Sequence, residues 1–506
     1  MGAVELALLQ QLLSSNIITV EAKEDIPAFS RIYIDQDGKA VDSEIEYNNI
    51  LQTYTSSFLL SDSQTYRNWA WCKIDDTHYA RVLRKPNENG HRVQILEFDF
   101  ANCSFSVISE SGLLTINLTS PDSLTSLQQA QIFKVDEGVL LVGLAYGEYD
   151  GSSWYYGACV YKITYDSSYS LSVTKIWSQD GSGASYSSDG NLLWVFPYDS
   201  TYFLLYSRDL SNGDYYMAVK KVSDGSETSR VSVDFSAWGG ARFVFLNRPD
   251  LNKFFLYCVN DYSLYVFSID SAGSISLANK VSVSVPPDWK ADLRFYPVCS
   301  VSDDENNYFA VYCRHRNSAG TLLFSLTDGT QNTANETFES NLHYVTQSKY
   351  SEYCLLEADG SFYIPFTQDY SGKESGYYKL TLIKATYNTS QKKFSSQFIC
   401  NIDLPVEDLS YDSYTLPLTD GANFFVFAEN SIEDGTQCEK FVKVDLDDYF
   451  YSKKTCLISL ADIPAGSTGK AFATKPVIRA SNTTAGVLYV DGKYIATSTG
   501  YLVEIE

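Results

Sequence analysis

Short apolar runs and tight polar turns alternate along most of the chain. The clearest case is QAQIFKVDEGVLLVGLAYG, residues 129–147, which reads as a strand, a turn on Asp136, Glu137 and Gly138, and a second strand. Val139, Leu140, Leu141 and Val142 give that second strand no polar face, so both of its sides must be covered. The same unit recurs. Asp75 turns WAWCKI into THYARVLRK, Asp199 turns LLWVFPY into STYFLLYS, and Asp250 lies between ARFVFL and KFFLYCV. Asp304, Asp359 and Asp420 repeat the pattern, and successive turn aspartates are 61, 63, 51, 54, 55 and 61 residues apart. A more polar hairpin follows each apolar one, such as ACVYKITYDSSYSLSVTKIW at 158–177. There Leu171 and Val173 alternate with Ser172 and Thr174, the period expected of half-exposed rim strands.

Seven such four-stranded units predict an all-β fold, a seven-bladed β-propeller over residues 67–460. The expected blades are 67–111, 127–178, 190–236, 240–286, 291–339, 343–404 and 411–460. A pair of β-sandwiches or a β-solenoid is the alternative, but roughly 50 to 60 residues per four strands is too long for a solenoid rung.

The two ends differ from this repeat. In residues 1–16, Val4, Leu6, Leu8, Leu9, Leu12 and Leu13 predict a short amphipathic helix. A helix of about ten residues is marginal alone, so it needs a surface, either its own domain or an assembly partner. Residues 17–66 read as a small β module and a linker that can add a strand, and residues 461–506 as a second small β module. Asp-Ile-Pro-Ala occurs at 25–28 and again at 462–465. The phrase Ile32-Tyr33-Ile34-Asp35 followed by Gly38-Lys39 is echoed by Leu488-Tyr489-Val490-Asp491-Gly492-Lys493. The expectation is one composite module built from both chain ends, since each half alone is too small to hold a core. The D-x-D-G piece at 35–38 lacks the later ligands of a calcium loop and reads as a turn.

The run EDIPAFSRIYIDQDGKA resembles a module of tailed-bacteriophage virion proteins, in which DIPAG and DGKA phrases mark small β domains of decoration, fibre and tail components. The resemblance covers about 25 residues at the start and about 45 at the end. Phe29 stands where that pattern has glycine, and Gly466 restores it in the second copy. The resemblance implies a virion structural protein, folded in the host cytoplasm and acting in attachment as part of a tail fibre, baseplate appendage or capsid-mounted fibre. Its implied partners are other virion proteins, met through the N-terminal helix and terminal modules, together with a cell-surface glycan or receptor. It also implies an oligomer in the particle. The propeller region matches no named propeller family by motif.

Composition narrows the chemistry. With 38 Lys and Arg against 62 Asp and Glu, the net charge is −24, a field that repels phosphate backbones, so nucleic acid is not an expected partner. The ten cysteines are scattered without a C-x-x-C, which predicts buried free thiols and neither a disulfide framework nor a metal site. The sequence has no basic n-region ahead of an apolar run, and no stretch long enough to span a membrane, so neither signal peptide nor span is expected.

The four histidines, at 78, 91, 315 and 343, are spread over three of the expected units, and no cofactor is expected. SYSSDGNLLW at 185–194 only loosely matches a sialidase Asp box, and no other unit repeats it. A glycan-cleaving carboxylate pair stays open as an alternative to attachment, as does a purely structural decoration or connector role. Candidate ligand contacts are Trp154, Tyr155 and Tyr156, placed in a polar loop, and Trp238 and Trp289, placed in connections between blades. The alternative for these rings is packing between blades.

Overall fold

The computed structural model describes residues 17–22, 26, 31–34, 40–42, 50–57, 71–83, 90–115, 127–149, 154–182, 193–209, 214–233, 235, 243–258, 261–284, 294–302, 307–315, 318–332, 337–340, 348–349, 355–356, 362–369, 378–388, 393–403, 408–420, 423–433, 436–444, 457–459, 462–472, 494–496 and 502–504. The chain divides into two compact units, one of Met1–Gln52 with Lys443–Glu506 and the other of Thr53–Val442. Among the described residues the structure is all β, with one 3-10 turn at Pro249–Leu251 and no α-helix. None of their elements is a helix long and apolar enough to cross a membrane.

Four strands open the chain: β1 (Ile17–Glu21), β2 (Arg31–Ile34), β3 (Ala40–Asp42) and β4 (Ile50–Ser57). Four-stranded antiparallel meanders follow. The first holds β5 (Trp71–Lys73), β6 (His78–Leu83), β7 (Arg92–Asp99) and β8 (Ser104–Glu110). The second holds β9 (Leu127–Asp136), β10 (Val139–Tyr149), β11 (Trp154–Tyr165) and β12 (Leu171–Ser182). The third comprises β13 (Leu193–Pro197), β14 (Tyr202–Arg208), β15 (Tyr215–Lys221) and β16 (Glu227–Ser232). Next come β17 (Phe243–Arg248), β18 (Lys253–Cys258), β19 (Ser263–Ile269) and β20 (Ile275–Ser282). The fifth sheet is β21 (Arg294–Ser302), β22 (Asn307–His315), β23 (Ser318–Ser325) and β24 (Thr337–Ser340).

In the sixth, β25 (Ser348–Lys349) and β26 (Leu355–Leu356) both pair with β27 (Phe362–Asp369), followed by β28 (Tyr378–Asn388) and β29 (Lys393–Asp403). The last meander has β30 (Asp408–Thr419), β31 (Phe424–Glu433) and β32 (Thr436–Val444), and its fourth strand is β4. The outer strand of this sheet thus comes from residues 50–57, in the segment read as able to add a strand, and residues 445–456 of the expected last blade lie outside the described residues. Beyond it lie β33 (Leu457–Ser459), β34 (Thr468–Phe472) and a hairpin of β35 (Tyr494–Ala496) and β36 (Leu502–Glu504).

Where their burial is described, second and third strands are covered on both faces, because neighbouring sheets pack on each other. Leu140, Leu141 and Val142 of β10 are buried, as are Phe424, Phe425, Val426 and Phe427 of β31. One core joins the first and second meanders, around Val82, Ile95, Leu140 and Ile163. Further cores join the second to the third, the third to the fourth and the fourth to the fifth. Strand β24 lies against β29, and β27 against β30. A final core packs Trp71, Phe98 and Phe105 of the first meander on Leu418, Phe425, Phe427 and Phe441 of the last. The succession of sheets thus closes on itself, a propeller-like arrangement. The fourth strand of the second meander faces outward: in β12, Leu171 and Val173 are half-buried while Ser172 and Thr174 are exposed.

In the smaller unit the sheet order is β1-β34-β33-β2-β3, so both chain ends supply strands to one sheet. The two Asp-Ile-Pro-Ala phrases meet there. Ile26 and Ile463, both buried, form an antiparallel bridge, each amide donating to the other's carbonyl at 2.9 and 2.8 Å. Gly466 has φ +72°, the left-handed region glycine enters without strain. The helix expected in residues 1–16, with Val4, Leu6, Leu8, Leu9, Leu12 and Leu13, lies outside the described residues.

Candidate functional site

The chemistry-bearing groups of the larger unit gather at its turns, and the turns explain why they are there. A two-stranded turn leaves amides without strand partners, and an aspartate at its start accepts them. Asp75 Oδ1 accepts from the amides of Thr77 at 3.0 Å and His78 at 2.9 Å. Asp199 Oδ1 accepts from Thr201 and Tyr202, both at 2.7 Å, and Asp420 Oδ1 from Asn423 at 2.6 Å. The third-to-fourth-strand turns use the same device. Asp166 serves Ser168 and Ser170, Asp224 serves Ser226, Asp270 serves Ala272 and Ser274, and Asp328 serves Thr330. These seven aspartates, of 62 acidic residues in the chain, are thus accounted for as turn acceptors.

The richest of these turns brings together Asp75, His78 and Tyr169. His78 Nδ1 lies 2.8 Å from Asp75 Oδ1, and its ring stacks on Tyr169 with centroids 4.2 Å apart. The Tyr169 hydroxyl donates to Asp75 Oδ2 at 2.8 Å. His78 Nε2 is 3.9 Å from a Glu97 carboxylate oxygen. Burial alone would raise the Asp75 pKa. The Thr77 amide, the Tyr169 hydroxyl and His78 outweigh it and hold the carboxyl far below the usual carboxylate range. Partial burial and the Asp75 charge push the Tyr169 hydroxyl up to about 12. An aspartate orienting an imidazole is half of a hydrolytic triad, but the hydroxyls here, on Thr77 and Tyr169, sit on the Asp75 and Nδ1 side.

Equivalent positions in other sheets show what the cluster does structurally. His78, Tyr202 and Lys253 each stand three residues after a turn aspartate, and each reaches the third-to-fourth-strand turn of the next sheet. His78 meets Tyr169, Tyr202 OH donates to the Ser271 carbonyl at 3.3 Å, and Lys253 Nζ donates to the carbonyls of Leu326, at 3.4 Å, and Thr327. The fit is close. A Cβ on Gly225, which has φ +72°, would lie 2.1 Å from the carbonyl oxygen of Ile176 in the preceding sheet. These turns are latches between neighbouring sheets.

A second polar cluster lies inside, where the last meander meets the first. Arg81 of β6 and Glu439 of β32, both buried, form an ion pair through Arg81 Nη1 and Glu439 Oε1. Arg81 Nε and Nη2 donate to Gln94 Oε1 at 3.0 and 2.8 Å, and Gln94 Nε2 donates to Glu110 at 2.6 Å. The guanidinium stacks over Trp71, 5.3 Å from the ring centroid. Sequence reasoning missed this pair, whose members stand 358 positions apart.

Of the sequence-derived ligand candidates, the structure describes Trp154, Tyr155 and Tyr156. Trp154, Tyr155 and Tyr156 lie in β11, not in a loop: they pair in register with Tyr149, Glu148 and Gly147 of β10. The turn is shorter than expected, and residues 150–153 alone separate the two strands. Trp238 and Trp289 lie outside the described residues. Cys72, Cys103, Cys159, Cys258 and Cys438 are free thiols, and burial pushes Cys72 up to about 12, which keeps it protonated and unreactive. Among the described residues no His, Cys, Asp and Glu group has the arrangement of a metal site.

No protein-family model matches the sequence, and no curated protein does. Among solved structures the chain is similar to a protein from Lactobacillus plantarum, with TM-score 0.42, 13% identity, 77% of this chain and 96% of that one covered. It is also similar to the WD40 domain of Toxoplasma gondii coronin, with TM-score 0.41, 9% identity, and 85% and 86% covered. The NanB sialidase of Streptococcus pneumoniae overlaps with TM-score 0.37, 12% identity, and 81% and 73% covered. Overlap at this level adds nothing to the sheet pairings already described.

Proposed function

We propose that the chain is a seven-bladed β-propeller joined to a module made from both chain ends, and that it is a structural protein of a tailed-bacteriophage particle acting in attachment. The observation that carries this reading is the antiparallel bridge between Ile26 and Ile463, which pairs the two Asp-Ile-Pro-Ala phrases that resemble virion modules. In this reading the terminal module and the helix of Val4 to Leu13 anchor the protein, and the propeller is displayed. The turn latches support a scaffold over a catalyst, since the group most like a catalytic dyad, Asp75 with His78, occupies a position that Tyr202 and Lys253 fill elsewhere with the same task. Trp154, Tyr155, Tyr156, Trp238 and Trp289 remain the candidate receptor or glycan contacts.

The test is to probe density-purified particles with an antibody to the protein, and to screen the protein on a glycan array with a reducing-sugar assay. Gold label at a head or tail appendage, with glycan binding and no sugar release, is the expected result. Label without binding turns the proposal into a connector, release turns it into an enzyme, and absence from particles ends it.

A further inference from the structure

The most regular feature of the smaller unit is an internal two-fold. Aligning Asp25-Ile26-Pro27-Ala28 with Asp462-Ile463-Pro464-Ala465 makes Glu21 equivalent to Ile458, Val20 to Leu457, Arg31 to Thr468 and Ile32 to Gly469. Exchanging the copies converts the pair Glu21 and Thr468 into Ile458 and Arg31, and both pairs are present. Val20 with Gly469 converts into Leu457 with Ile32, and again both are present. Ile26 with Ile463 maps onto itself. The register of β1 with β34 and of β33 with β2 is the same read from either copy, while the pairing of β33 with β34 has no counterpart between β1 and β2.

Main-chain hydrogen bonds supply this pairing, and they do not distinguish one copy from the other. The residues at its centre are chemically identical and buried, Ile26 against Ile463. Each copy therefore presents a surface that fits the opposite copy on any chain that carries it. We infer that the terminal sheet is a strand-exchange site whose partner is a second copy of this chain, the first-copy strands of each protomer pairing reciprocally with the second-copy strands of the other. A second copy fits better than an unrelated partner because each chain holds both halves, so reciprocal exchange closes a two-fold dimer and leaves no half unpaired.

Within one chain, residues 43–49 and 445–456 connect the copies to β4 and β32, which are neighbours in one sheet. That tether favours pairing within the chain when the protein is dilute, with an effective concentration of order millimolar for short links. Exchange competes once copies reach a similar concentration, as in any assembly that sets them side by side. It requires only the repeat and its register, whatever complex holds the protein.

The experiment uses Glu21→Cys and Thr468→Cys, opposite each other and both exposed. The doubly substituted chain, dilute and oxidised, is expected to link these two positions within one molecule. Two folded, singly substituted chains are then mixed at roughly millimolar concentration and oxidised. The expected product is a species of twice the chain mass, joined through these two positions by peptide mapping, whose fraction grows with concentration. A link within the double variant but none between chains at any concentration overturns the proposal. No link in either arrangement overturns the register and the proposal with it. Thr19→Cys with Lys470→Cys gives a second pair two residues along the same strands, so failure of one substitution to fold does not leave the question open.

Discussion

Two seams of the larger unit are built differently. Where the first meander meets the second, the filling is aliphatic, with Val82, Ile95, Leu140 and Ile163 at its centre, and the Asp75–His78–Tyr169 latch closes one end. Where the last meets the first, the filling is aromatic, with Phe98, Phe425, Phe427 and Phe441 in mutual ring contact, and a buried charged pair crosses it. The first pair of sheets is joined by continuous chain, which already limits how they can dock. The closing pair is brought together only by folding. Apolar filling tolerates sliding, whereas Arg81 and Glu439 are satisfied in one alignment alone, so the pair fixes how the last sheet docks.

The comparison can be broken at its strongest point first. Arg81→Met leaves Glu439 charged and buried, and is expected to cost about 3–5 kcal/mol in urea unfolding. The double variant with Glu439→Met should recover most of that loss, and a double as unstable as the single would show that the pair does not act as a unit. Phe427→Ala, which opens a void among the seam rings, should cost about 3–5 kcal/mol, against about 2–5 kcal/mol for Leu140→Ala at the first seam. A markedly larger loss at Leu140 would reverse the ranking of the two seams.

The latch is a smaller effect and depends on pH. Because the folded-state pKa of Asp75 is depressed, its contribution is present above the unfolded value, about 3.9, and is lost as pH falls towards the folded value. Melting temperatures between pH 6 and pH 2 should therefore fall less steeply for Asp75→Asn than for the parent. Tyr169→Phe removes a partly exposed hydroxyl that bonds both Asp75 and His78 and should cost about 0.5–1.5 kcal/mol near neutral pH. The smallest effect is expected on the outer strand, where Val107→Lys at an exposed position should stay within about 0.5 kcal/mol of the parent.

Local features were legible in the sequence and long-range ones were not. The hairpin around Asp136 and Gly138 could be read because turn chemistry and an unbroken apolar run lie within a few residues. The second set of turn aspartates, at 166, 224, 270 and 328, was equally local, and its signal is an Asp followed by Ser or Gly between half-polar strands. Trp154 was placed in a loop because Gly151, Ser152 and Ser153 suggest a wide turn, although WYYGACVYKITY continues as one strand. The partner of β4 was hidden, since ILQTYTSS carries no pattern that points to one neighbouring strand. The Asp-Ile-Pro-Ala repeat announced that the ends are related, but only the register revealed the two-fold.

One strand also carries a consequence for synthesis. β4 leaves the ribosome more than 350 residues ahead of β32, its neighbour in the last sheet. At about 5–20 residues per second, β4 waits roughly 20–80 s for its place. Through that interval the nascent chain holds a strand without its native neighbour beside meanders that are already complete. A pause or truncation before residue 436 would leave both the ring and the terminal sheet open, and chaperone occupancy of the nascent chain should persist until that point is passed.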